Sequence, residues 1–334
     1  MNDTLPIDNR VRDAANQLAG ANVRLIRSAN GGANSRIYRV ETTAGTFALK
    51  SYPARSNDTR SRAEVEWRTL QFLTSRGVTT VPSPLARDPM GHFLLMEWID
   101  GVAIKLHQPA EIAQAAEFII KIFDLSSDPE VVDFPLASEA CLSPGAIIRQ
   151  IGDRIPLFAP ESALDSFLSK SLLPAFSIAK GNVDSRQQDV ELGREFQRLI
   201  PADFGFHNVV RQPDGRLRYV DFEYFGWDDP VKLTADFLLH PAMALSADDN
   251  RDFVSRITAA LPADTDFTAR LKRHLPLFAL RWALILFNPF RRDRVAELPK
   301  DEEARKALLY DRLTKAKKLL RWTDSKTTPV AIDF

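Results

Sequence analysis

Asp203 and Asn208 stand five residues apart in the run Asp203-Phe204-Gly205-Phe206-His207-Asn208. This is the D-x-x-x-x-N spacing in which a carboxylate accepts the proton of an attacking hydroxyl and an amide oxygen holds a divalent cation. The spacing alone is common, and the segment downstream of it makes it informative. Two strand-like runs, 209–212 and 216–220, flank Pro213-Asp214-Gly215 and end at Asp221. Asp-Gly is a strong signal for a two-residue hairpin loop. With Asp214 and Gly215 as that loop, Asn208 is expected to face Asp221, their Cβ atoms roughly 4.5–5.5 Å apart. An amide and a carboxylate so placed would offer oxygens to Mg²⁺. The plainer reading of the same residues is a hairpin with polar ends.

A second group lies near the N-terminus. Gly31-Gly32-Ala33-Asn34-Ser35 falls between strand-like segments, where glycine lets backbone N–H groups approach phosphate, although an ordinary hairpin turn has the same composition. The next strand but one reads Phe47-Ala48-Leu49-Lys50, which puts Lys50 on one face with the small Ala48, leaving room for a flat base and its phosphates. In the helix expected over 63–76, Glu66 shares a face with Leu70 and Leu73, so its carboxylate points inward and needs a cation. Lys50 is the natural partner. The alternative is a lysine that reaches water and a solvated glutamate.

These residues must be positioned by two different kinds of structure. From Val23 to Trp98 the signals are of strands and turns, interrupted by the single helix 63–76 that stops at Gly77. Beyond Gly101 helical patterns dominate, over 110–123, 143–158, 162–178, 187–200, 249–261, 267–287 and 301–320. The expected fold is therefore α+β and bilobal, protein-kinase-like, with a nucleotide-binding lobe over 1–97, a hinge over 98–101 and a helical lobe over 102–334. Gly31-Gly32, Lys50, Glu66, Asp203, Asn208 and Asp221 occur in the order that phosphoryl transfer from a nucleotide requires.

The 334 residues carry 44 Lys plus Arg against 44 Asp plus Glu, so no basic field points to nucleic acid or a membrane surface. The most apolar stretch, 275–290, carries Arg281 and is too short to span a bilayer. The first eighteen residues mix charges among apolar positions and lack a signal-peptide core, and the lone Cys141 reads as a packed side chain, so a cytoplasmic location is expected. The five histidines show no close pairing that would suggest zinc. Nothing in the sequence fixes an oligomeric state.

The run from Asp203 to Asn208, continued by Asp221-Phe222-Glu223-Tyr224-Phe225-Gly226-Trp227-Asp228-Asp229-Pro230, resembles the aminoglycoside phosphotransferase and choline kinase-like family over roughly 22–241. The resemblance implies ATP bound between two lobes, with adenine against Met96-Glu97-Trp98-Ile99. It implies Lys50 on phosphate, Glu66 holding Lys50, Asp203 as base, and Asn208 and Asp221 as Mg²⁺ ligands. Two departures stand out. Pro201-Ala202 replaces the family's usual His-Gly before the catalytic Asp, and Leu233 stands where an Asp is usual, the nearest acid being Asp236.

A small-molecule hydroxyl acceptor, such as a sugar, an amino alcohol or an aminoglycoside-like compound, fits better than a peptide. Only seven residues separate Asp221 from Asp229-Pro230, too few for the activation segment of a protein kinase. A non-catalytic nucleotide-binding module is the other reading, and it would be expected to have lost Lys50, Asp203 or Asp221. Asp228, Asp229 and Asp236 are candidates to attract a cationic or polyhydroxy acceptor, while Asp229 before Pro230 equally reads as a helix start. Tyr224, Trp227 and Trp282 read as stacking groups or as core. His207 and His240 are acid–base candidates less well placed than Asp203.

Overall fold

The computed structural model describes residues 7–29, 35–53 and 61–323. Along the chain the strands are β1 (Val23–Ser28), β2 (Arg36–Thr42), β3 (Thr46–Ser51), β4 (Pro84–Arg87), β5 (Phe93–Glu97), β6 (Val102–Ala103), β7 (Arg198–Ile200), β8 (Val209–Arg211), β9 (Leu217–Tyr219) and β10 (Gly226–Asp228). The α-helices are α1 (Asn9–Leu18), α2 (Arg62–Ser75), α3 (Pro109–Asp124), α4 (Pro144–Arg154), α5 (Ser162–Phe167), α6 (Leu173–Gly181), α7 (Pro230–Leu239), α8 (Ala247–Ala259), α9 (Phe267–Ile285) and α10 (Glu302–Leu319). The fold is α+β, strand-rich at the N-terminus and mainly helical after it. Two compact units emerge, 1–105 with 201–225, and 106–200 with 226–334. The loop that carries Asp203 and Asn208 thus groups with the strands.

In the first unit β1 to β5 form one antiparallel sheet in the order β1-β2-β3-β5-β4. Alternation along β3 sends Leu49 to one face and Ala48 and Lys50 to the other. Leu49 packs with Tyr38, Val40 and Leu95 against Val11, Ala14 and Ala15 of α1. That helix is outside the expectations above, although Val11, Ala14, Ala15 and Leu18 recur at the helical spacing i, i+3, i+4 and i+7. Its N-cap is Asp8, whose side chain accepts from the Arg10 N–H, and Val11, Ala14 and Ala15 are its buried residues. α2 is capped by Ser61 and followed by Gly77 at φ 72, the left-handed conformation that ends a helix. A second sheet, β6-β8-β9, belongs to the same unit. Gly101, just before β6, must be glycine, because a Cβ there would lie 2.4 Å from the Arg211 carbonyl oxygen.

In the second unit α7 is buried along its whole length and packs beside α9, while α3 packs on α8. The helix expected over 187–200 is not formed. Gly193 breaks the run, Arg194–Phe196 make a single 3-10 turn, and Arg198–Ile200 extend instead as β7, antiparallel to β10. Leu199 and Ile200 are fully buried in that pairing, which outweighs the helical spacing of 187–200. The segment expected as one helix over 162–178 is α5 and α6 joined by a π-turn, Leu168–Leu172, just ahead of Pro174, whose missing N–H disturbs the ladder. No helix among the described residues is long and apolar enough to cross a membrane.

Candidate active site

Lys50 is 2% exposed, on the sheet face opposite α1, and an ammonium so placed requires anions. Its Nζ lies 2.5 Å from Glu66 Oε2, 2.6 Å from Asp221 Oδ1 and 3.2 Å from Glu223 Oε2. Burial opposes its charge, but Asp221, Glu66 and the other surrounding groups hold its pKa well above the ordinary lysine value. Glu66 is fixed further by the Tyr52 hydroxyl at 2.7 Å and by the Phe222 N–H at 3.2 Å. Arg62, at the start of α2, donates to Glu223 Oε1 at 3.4 Å and to the Pro53 carbonyl at 2.7 Å.

Sequence reasoning misses Tyr52, Arg62 and Glu223. Tyr52 is findable, since it follows Lys50 by two residues and so shares its face. Glu223 stands two residues beyond Asp221, but nothing in its local pattern says that it turns inward.

Asp221 is the open member of this cluster. Its side chain is 25% exposed, whereas Lys50, Glu66 and Glu223 are essentially buried. Its backbone takes φ 71, a left-handed value that a non-glycine residue adopts only where its surroundings compel it. Burial first, then the neighbouring Glu66 and Glu223, push its pKa up to about 6 against the pull of Lys50. Among the described residues, three carboxylates thus face two cations, Lys50 and Arg62.

The strands leading to Asp221 are paired one residue away from the expected register. Val209 faces Tyr219 and Arg211 faces Leu217, and the Val220 N–H donates to the Asn208 carbonyl at 3.0 Å, so Asn208 lies opposite Val220 and not opposite Asp221. Pro213 is the cause. Its fixed φ suits the second position of a turn, and the Gly215 N–H closes that turn on the Gln212 carbonyl at 3.0 Å. The loop is consequently three residues long, with Gly215 at φ 83 in the bulge position. Asp221 still comes directly after the residue bonded to Asn208.

In the preceding loop, Asn208 Nδ2 donates to the Asp203 carbonyl at 2.9 Å, with Asp203 Oδ2 at 3.5 Å. That orientation leaves Asn208 Oδ1 as the amide atom suited to a cation. His207 Nε2 lies 3.2 Å from Asp203 Oδ1. The Asp203 side chain is 41% exposed. An amide oxygen and a carboxylate, in a cluster where carboxylates outnumber cations among the described residues, fit Mg²⁺, which prefers hard oxygen donors and keeps several waters.

Of the residues expected at a nucleotide, Ala48 and Ser35 are buried, and Gly31, Gly32 and Asn34 lie outside the described residues. At the end of β5, the Glu97 carboxylate accepts from Arg218 at 2.8 Å and from the Ser83 N–H at 3.1 Å. Trp98 donates to Asp100 at 2.9 Å under the Arg39 guanidinium, and Ile99 comes next, half-buried.

The acidic residues weighed as acceptor contacts are engaged inside the helical unit. Asp229 caps α7 by accepting from the Val231 N–H at 2.8 Å and pairs with Arg270, which also pairs with Asp264. The helix-start reading of Asp229-Pro230 is thus the correct one. Asp228 is fully buried and accepts from the backbone N–H groups of Cys141 and Asp229, both at 2.8 Å. Asp236 receives Lys232 at 3.1 Å, Arg281 at 3.2 Å and the Trp282 indole N–H at 2.7 Å. Trp227 is core, its indole bonded to the Val131 carbonyl. Cys141 is buried, which pushes its thiol up to about 12, so it is no nucleophile.

A third-strand lysine held by a glutamate of the next helix, beside a strand-rich sheet and ahead of a helical unit, defines a kinase-like bilobal architecture. Solved structures agree. A spectinomycin phosphotransferase in complex with ADP and spectinomycin aligns with TM-score 0.66 at 10% identity, covering 97% of this chain and 100% of that one. Choline kinase LicA from Streptococcus pneumoniae aligns with TM-score 0.61 at 16% identity, covering 94% and 99%. A choline kinase from Cryptosporidium parvum aligns with TM-score 0.55 at 15% identity, covering 89% and 90%. Residues 25–260 match the phosphotransferase enzyme family, and the chain belongs to it. No curated protein matches it in sequence.

Proposed function

We propose that the protein transfers the γ-phosphoryl group of ATP to a hydroxyl of a small molecule. The observation that carries this reading is the convergence on Lys50 of Glu66 from α2 and Asp221 from beyond β9, with Asn208 of the Asp203 loop bonded to the residue before Asp221. Lys50 contacts phosphate oxygens, and Glu66 keeps its ammonium in place. Asn208 and Asp221 hold Mg²⁺, which when bound neutralises charge on the phosphates. Asp203 takes the proton of the acceptor hydroxyl as its oxygen attacks phosphorus, and ADP leaves. The backbone of Glu97-Trp98-Ile99 is the edge offered to adenine, because the Glu97 and Trp98 side chains already have protein partners.

The acceptor class is a sugar, an amino alcohol or an aminoglycoside-like compound, in keeping with the small molecules named for the structural relatives. Incubating the protein with Mg-ATP and panels of these compounds, and detecting the phosphorylated product by mass spectrometry, tests the reading. A product from one panel member, absent without Mg²⁺, supports it. Nucleotide binding with no transfer to any member would favour a non-catalytic module.

A further inference from the structure

We infer that a cavity within the helical unit binds an uncharged, mainly apolar small molecule that carries a hydroxyl group, with His274 as the side chain that recognises it. The inference does not depend on phosphoryl transfer. The described walls of the cavity come from 141–196 and 229–274 and include none of Lys50, Asp203, Asn208 and Asp221. The cavity measures about 570 Å³, within the range of small-molecule sites. It lies between the start of α4, the segment from α6 to β7 and the first turns of α9. That segment is fastened to the start of α4, since the Gly145 N–H donates to the Gln188 carbonyl at 2.7 Å and the Leu192 N–H to the Leu142 carbonyl at 2.8 Å. Leu142, Pro144, Val183, Leu192 and Phe196 make the wall largely apolar.

His274 is the open polar group in that wall. It is only 9% exposed and makes no hydrogen bond with a described residue, yet neither of its ring nitrogens is sealed from solvent. A buried imidazole in that state calls for a partner from outside the protein. Burial, then Arg273 and Arg270, pull its pKa down to about 4. At neutral pH the ring therefore offers one N–H and one lone pair, the complement of a hydroxyl, which both donates and accepts. The charged side chains around it are occupied with one another. Arg270 is held by both oxygens of Asp229 and of Asp264 at 2.8–3.2 Å, and Arg273 pairs with Asp266 at 2.6 Å. In these groups three carboxylates meet two guanidiniums, which disfavours an anion, while a cation at His274 would face both arginines.

Titration of the full chain with p-fluorophenol at neutral pH, followed by fluorine NMR of the probe and by the ring resonances of isotope-labelled histidines, tests this. The His274 resonance, assigned by its loss in His274→Phe, should shift saturably with a Kd of about 1 mM or tighter, the scale for so small a ligand. p-Fluorotoluene lacks the hydroxyl. His274→Phe keeps a ring without hydrogen-bonding atoms, so it should reduce the preference for the phenol over the toluene about 3- to 10-fold. Val183→Trp, at a half-buried wall position, should fill the cavity and weaken both probes about tenfold or more, an arm that stands even if His274→Phe does not fold. No saturable shift at His274, an unchanged phenol-to-toluene ratio in His274→Phe, or undiminished binding in Val183→Trp would each overturn the inference. Tighter binding of p-fluorobenzoate or p-fluorobenzylammonium than of the phenol would overturn the uncharged class.

Discussion

Lys50 Nζ and Asp221 Oδ1 lie 2.6 Å apart across 171 residues of sequence, and Glu66 and Glu223 close on the same ammonium. The pair joins the third strand to the segment beyond the β8–β9 ribbon. Removing the ammonium would leave Glu66 and Glu223 buried with Arg62 as the remaining cation nearby among the described residues. Lys50→Met should therefore destabilise the protein by about 3–5 kcal/mol, the range for breaking a buried ion pair from one side. Urea unfolding at neutral pH measures it. A loss below about 1 kcal/mol would mean that the carboxylates take up protons in place of the lysine.

Asp221 is the exposed carboxylate of a cluster in which, among the described residues, three carboxylates meet two cations. Asp221→Ala should abolish the tightening of nucleotide binding by Mg²⁺, read by calorimetry with and without the metal. Asp203→Ala should leave that tightening near normal and lower turnover about 10²-fold or more. A Mg²⁺ effect that survives in Asp221→Ala would move the cation to other ligands.

How much of this is legible in the sequence depends on the kind of inference. Lys50 and Glu66 pair from strand alternation, helix periodicity and the cost of a buried charge, all local rules, and the two groups meet at 2.5 Å. The β8–β9 register fails because Asp214-Gly215 is read without Pro213, whose fixed φ moves the turn by one residue. Residues 187–200 carry a helical spacing, yet pairing with β10 decides 198–200, and no local pattern reveals a partner strand some thirty residues on. Asp236 reads as an acceptor contact because Arg281 and Trp282, which engage it, come from α9, distant in sequence, and Asp228 because backbone N–H groups, one of them that of the distant Cys141, satisfy its Oδ1.

Asp228 makes the stability of the fold depend on pH in a direction unusual for an acid. Burial, against the attraction of Lys232, raises its pKa to about 6 from an ordinary value of 3.8. The folded chain thus holds a proton that the unfolded chain has already released between about pH 4 and 6. Its stabilising contribution is full below pH 4 and is lost as pH rises through 6, by at most ~3 kcal/mol at ~1.4 kcal/mol per pKa unit. In Asp228→Asn this component should vanish, so the difference in urea midpoint between variant and wild type should change across pH 4 to 7. A difference that stays constant over that range would show that Asp228 does not titrate in it.

Asp229 separates a structural from a substrate-binding role. Its Oδ1 accepts from the Val231 N–H at the start of α7 and from Arg270 at 3.0 Å, and Arg270 keeps Asp264 at 2.8 Å as a second partner. Asp229→Ala should cost about 1 kcal/mol for the lost cap and more for the half-stripped guanidinium, about 2–4 kcal/mol together. Asp229→Asn keeps the oxygen that caps the helix and should cost about half as much. Neither change should raise the KM for the acceptor more than about twofold, because both oxygens of Asp229 point into the helical unit. Thermal or urea unfolding gives the first quantity and steady-state kinetics the second. A variant of unchanged stability with a tenfold higher acceptor KM would return Asp229 to the substrate.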